Sequence, residues 1–167
     1  MLKKIALLLL CALPIGLMAQ DKLGHVNSQE IMSIMPELQV IQKTLNDLQT
    51  EWENTIVKMR EEYYAKIKEY QEKQATMPES IKEARQSEIM EIEQRITTFQ
   101  QQASADLQKK EQDLFEPVIQ KVRDAINAVG AENNFTYIFD LGAQSIVYQS
   151  PKSNDITALV KKKLDIK

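Results

Sequence analysis

The chain has 167 residues, 43% of them hydrophobic and 27% charged, with only 4 Gly and 6% aromatic residues. So few aromatics and glycines argue against one compact core and for long helices. A formal charge of -3 removes nucleic acid and anionic membrane surfaces from the favoured partners.

Residues 1–19 read as an export signal, with Lys3 and Lys4, an apolar run from Ile5 to Leu13, the helix breakers Pro14 and Gly16, and a cut expected after Ala19. The run is too short to cross a bilayer. Leu10 stands before Cys11 where lipid attachment favours a small residue, so Cys11 reads as part of the signal core. Removing this segment leaves a chain without cysteine and two charges more negative. An exported protein without disulfides is stabilised by packing or by association.

"KLGHVN", residues 22–27, has an extended pattern, and "SQEIMSIM" makes about two helical turns that Pro36 closes. Two polar helical runs follow, residues 37–76 and 79–128, meeting at Pro78. In the first, Ile41, Leu48, Trp52, Ile56, Met59 and Tyr63 fall among apolar residues spaced by three and four, as in a coiled-coil seam. Ile92, Ile96, Phe99, Ala103, Leu107 and Leu114 continue that rhythm in the second. One continuous helix would carry Pro78 in its interior at a cost of about 3 kcal/mol. A fold-back near residues 76–80 avoids this.

Facing residues then have numbers summing to about 155, which puts Ile41 beside Leu114, Ile56 beside Phe99, Met59 beside Ile96 and Tyr63 beside Ile92. Trp52 meets the small Ala103, a match of sizes. Leu45 facing Lys110 and Tyr70 facing Arg85 are exceptions. At about 1.5 Å per residue such an arm reaches roughly 60 Å.

After Gly130, expected to stop the helix, "FTYIFD", the turn "LGAQ" and "SIVYQ" read as a β-hairpin. A helix begins next, capped by Asn154 or Asp155, with Ile156, Leu159, Val160 and Leu164 on one face. A lone two-stranded hairpin is marginal. Residues 20–36 and 118–167 are therefore expected to form a small base that associates with copies of itself, carrying an arm over residues 37–117. The contacts between copies are assigned to Val26, Tyr137, Phe139, Ile146 and Tyr148. The fold class is α+β and mostly α, a helical-hairpin arm on a β-containing oligomerisation base.

That order, with "LGHVN", "FTYIFD", "IVYQSP" and "NDITALVKKKL", resembles the Skp/OmpH family of periplasmic chaperones. The resemblance implies a trimer whose arms enclose a cavity for unfolded outer-membrane proteins, a periplasmic location, and no cofactor. Lipopolysaccharide or membrane binding is not carried over, because residues 37–116 hold 17 Asp and Glu against 11 Lys and Arg.

His25, the single histidine, has no Cys or second His to share a metal and reads as structural. No nucleophile, metal or phosphate motif supports an enzyme. Tyr64, beside the seam, and Tyr70 and Met77 are the candidates for client contact. The competing function is a structural adaptor whose arm holds one folded envelope partner.

Overall fold

The computed structural model describes residues 21–166. The export segment expected at residues 1–19 lies outside them. Strand β1 (Leu23–Val26) leads into helix α1 (Ser28–Ser33), where the Asn27 side chain accepts a hydrogen bond from the Glu30 N–H at 3.0 Å. Capping of this kind satisfies a donor that a helix start leaves free. Pro36 then serves a second purpose. It occupies the first turn of α2 (Pro36–Lys73), a position where the missing N–H costs nothing.

Helix α2 ends at the tip, and α3 (Glu79–Glu132) starts directly after Pro78. The turn falls where proline places it. Pro117 lies inside α3, which continues to Glu132.

Gly130 does not stop that helix. It is buried, and a Cβ there would stand 2.8 Å from the Ile138 Cδ1, so glycine serves close approach rather than termination. The chain turns at Asn134, with φ 55, while the Phe135 N–H returns to the Gly130 carbonyl at 3.0 Å and the Asn134 N–H to Ala131 at 3.3 Å. This is a Schellman ending with asparagine in the left-handed place.

The sheet corrects the expected hairpin. Strand β2 (Tyr137–Asp140) pairs in parallel with β1, Leu23 facing Tyr137 and Val26 facing Asp140. The other neighbour of β1 is the two-residue β3 (Asn154–Asp155), also parallel, giving the order β2-β1-β3. Residues 145–149, expected as a second hairpin strand, carry no strand in the single chain; β2 pairs with β1 on one side and its other edge is left open. Helix α4 (Thr157–Lys163) follows, its Thr157 N–H held by the Asp155 carboxylate at 2.8 Å. Leu159, expected on its inner face, points to solvent, while Ile156 and Val160 are buried.

The core sits where both ends of the chain meet the root of the arm. Ile31, Met35, Val118, Val122, Ile156 and Val160 form its centre, and Ile41 extends it up the arm. Val26 belongs to this core at 1% exposure, which corrects its assignment to contacts between copies: a residue closed inside its own subunit has no surface to offer another.

Candidate functional site

Two surfaces are candidates, the arm and the open face of the base. Along the arm, Ile41, Ile92, Ile96 and Ala103 are buried. Leu48, Trp52, Ile56, Met59, Tyr63, Phe99, Leu107 and Leu114 are half-buried. Two helices alone cover a seam from two sides only, so partial exposure is the geometric consequence.

Polar contacts cross between the helices on or within a turn of the fold-back register. Arg95 reaches Glu62 at 3.4 Å, Lys66 pairs with Glu88, and the Tyr70 hydroxyl accepts from the Gln86 amide at 2.7 Å. Lys121 pairs with Glu37 at the root. Glu88 also receives Arg85 at 2.6 Å. The Lys66 and Arg85 cations hold its carboxyl below the ordinary value, and Glu88 in turn raises the Arg85 guanidinium. The Lys73 hydrogen bond lowers the Glu69 carboxyl, and the Lys121 hydrogen bond lowers Glu37. Far from the base, charge therefore takes over part of the work of the apolar seam.

Of the three residues expected to meet clients, Tyr64 stands out at 64% exposure, its ring edge against Tyr63 with centroids 5.5 Å apart. Tyr70 is half-buried and hydrogen-bonded across the arm. Met77 is half-buried at the tip, in a recess with Tyr70 and Ile89. Val40, Val57, Ile81 and Met90 are also exposed, and sequence reasoning missed them. Their signal was available, since each is an apolar residue out of phase with the three-and-four rhythm.

The base presents a second apolar surface. Tyr137 and Phe139 alternate outward along β2, their rings stacked 6.4 Å apart, while Ile138 between them packs on the core. Beside them, Leu23, Phe139, Leu141, Ile146 and Tyr148 wall a hollow of about 280 Å³ with His25 at its floor. Val147 and Tyr148 are almost wholly in solvent. Large apolar groups gathered on one small face are the kind of surface that marks an interaction site.

His25 itself is buried. Its Nε2 lies 2.9 Å from the Gln149 amide nitrogen and 3.8 Å from an Asp155 carboxylate oxygen. Burial works to raise the Asp155 carboxyl, but hydrogen bonds from the Thr157 hydroxyl and N–H outweigh it, with the His25 imidazole adding to the lowering. Among the described residues no group of three His, Cys, Asp or Glu could hold a metal, and no helix is long and apolar enough to cross a membrane.

Comparison with known proteins places this architecture. The family model for outer membrane protein (OmpH-like) matches residues 22–164. The chaperone protein Skp of Photorhabdus laumondii is 23% identical over 150 residues, covering 90% of each chain. Skp of Pectobacterium atrosepticum is 23% identical over 163 residues, covering 93% of this chain and 97% of that one. An OmpH-like protein from Caulobacter crescentus, known from its crystal structure, superimposes with a TM-score of 0.74 over 87% of this chain and 84% of its own, at 15% identity. That last likeness is one of fold.

Proposed function

This chain belongs to the OmpH-like family, and on that premise we propose that it is a periplasmic holdase that keeps unfolded outer-membrane proteins from aggregating. The observation that carries the reading is the arm: a two-helix projection with Val57, Tyr64, Ile81 and Met90 exposed along it and no single continuous docking stripe. Scattered apolar spots make weak contacts that become strong together, which suits chains without fixed structure. The name of the Skp relatives, chaperone protein, supports the same reading.

In this proposal residues 1–19 direct export. Residues 20–36 and 118–167 form the base, and residues 37–117 the arm. Copies meet through Tyr137, Phe139, Ile146 and Tyr148 on the open face, and a trimer would set three arms around one cavity. Binding needs no cofactor. Attraction of the acidic arm for basic client segments adds little at periplasmic salt.

The test removes the arm. Replacing residues 38–117 by a short Gly-Ser linker leaves both halves of the base, and the product should still associate while no longer suppressing light scattering from a diluted, urea-unfolded outer-membrane protein. Trimming both helices by two matched heptads at the tip should leave partial holding, since diffuse contacts scale with length. Full activity without arms would overturn the proposal. An abrupt loss from the small trim, with the fold intact, would instead favour an adaptor that grips one partner at the tip.

A further inference from the structure

The turn that leaves β2 is held by one carboxylate outside the apolar face. Asp140 closes β2 opposite Val26, the last residue of β1. Its Oδ1 accepts hydrogen bonds from the Ser28 N–H at 3.1 Å and the Gly142 N–H at 2.9 Å, and its Oδ2 accepts from the Ser28 hydroxyl at 2.5 Å. The start of α1 is thereby joined, across 112 residues, to the end of β2 and to the turn at residues 141–144 that follows it directly.

Gly142 makes the closure feasible. A Cβ there would stand 2.8 Å from the Ser28 Oγ and 3.0 Å from the Gln29 backbone nitrogen. Beyond it the Gln144 N–H donates to the Leu141 carbonyl at 3.0 Å, and Gln144 takes φ 53, reversing the chain. Ile146, Tyr148 and Gln149 then return across His25 and line the hollow.

The core around Ile31 and Val160 contains neither Asp140 nor Ser28. Their bonds govern direction rather than burial, because residues 145–150 have no strand partner and would otherwise swing about the turn. We propose that Asp140 is a positioning residue for self-association: by fixing the turn to α1 it preorganises residues 145–149, so that Ile146 and Tyr148 meet a second copy with little ordering left to do. The inference rests on the reading that copies meet through this face.

Hydrogen-bond geometry, rather than charge, is the operative property. An asparagine could accept both N–H groups with its oxygen and donate its amide to the Ser28 hydroxyl. The experiment measures mass against concentration by sedimentation for the exported full-length chain and its Asp140→Ala, Asp140→Asn and Gly142→Ala variants. Amide exchange in β1 and α3 is followed alongside. Asp140→Ala should raise the concentration of half-assembly about tenfold or more, with exchange in β1 and α3 of the separated chain unchanged. Asp140→Asn should stay within about threefold of the parent, and Gly142→Ala should fall between them.

An Asp140→Ala chain that assembles like the parent overturns the inference. So does an Asp140→Asn chain that fails as badly as alanine, or loss of β1 protection, which would make the residue a part of the subunit fold. A parent that stays monomeric at every concentration defeats the assembly reading itself and this inference with it, an outcome visible before any variant is made.

Discussion

At the base, helices α1, α3 and α4 and strand β1 close over Ile31, Ile156 and Val160 until their side chains see almost no solvent. At the far end of the arm, Ile67 and Ile89 are apolar groups of comparable size, yet they remain half exposed between flanks of charge. The difference is one of how many sides are covered. A core residue packed by several elements loses its water entirely, whereas a two-helix seam leaves an open margin that salt links such as Lys66–Glu88 and Arg85–Glu88 border without sealing. The chain thus closes its core at the base and leaves apolar surface partly open along the arm.

The contrast is broken most severely at its stable end. Ile31→Ala removes a fully buried side chain from the meeting point of both chain ends and should cost about 2–5 kcal/mol, read as a shift of the urea midpoint for the whole protein. Ile92→Ala, at the outermost well-buried seam position, should cost about 2 kcal/mol and speed amide exchange locally in the arm while the base stays protected. If Ile92→Ala loosens the base as much as Ile31→Ala does, arm and base form one cooperative unit and the comparison fails.

This division was partly legible in the sequence. The arm declares itself through local signals: apolar residues every three or four positions, and Pro78 at the turn. The sheet does not, because parallel pairing joins Leu23 to Tyr137 and Gly24 to Asn154 across most of the chain, and a two-residue strand such as Asn154–Asp155 carries no hydrophobic pattern. "SIVYQ" has strand composition, which is why it read as half of a hairpin. Composition states a preference for extended backbone and says nothing of which edge is vacant. Gly130 misled in the same way, since a glycine needed for contact with Ile138 resembles one that ends a helix. Val26 and Phe139 are both strand apolar residues, and only the packing of α1 and α4 separates the buried one from the exposed one.

Acid should sharpen the comparison by loosening the two regions in order. Glu69 and Glu88 have carboxyls depressed below the ordinary 4.5 by Lys73 and by Lys66 with Arg85. A group with a depressed folded value stabilises above its unfolded value, and that contribution disappears as pH falls through the folded one. Amide exchange over residues 66–74 and 82–90 should therefore accelerate as pH drops below about 4.5, after correction for the intrinsic rate, before residues 122–129 respond. High salt at neutral pH should act in the same direction, more weakly. Glu88→Gln should remove much of the pH dependence at these amides. A uniform response over arm and base would mean that the ion pairs contribute nothing local.

The smallest effect concerns a single hydroxyl. Tyr70 interrupts the apolar register, and its oxygen, 2.7 Å from the Gln86 amide nitrogen, is the polar substitute for a seam contact near the tip. Tyr70→Phe keeps the ring, its packing beside Ile89 and its apolar surface, and loses only that hydrogen bond. In a half-wet position the loss should be about 0.5 kcal/mol or less, too small to move the urea midpoint but visible as faster exchange of amides flanking residues 70 and 86. Under the proposed reading, in which holding relies on apolar spots rather than on a rigid tip, suppression of aggregation should survive unchanged. A variant that folds as the parent does yet loses holding would show that the orientation of the tip, and not the sum of scattered contacts, is what the client reads.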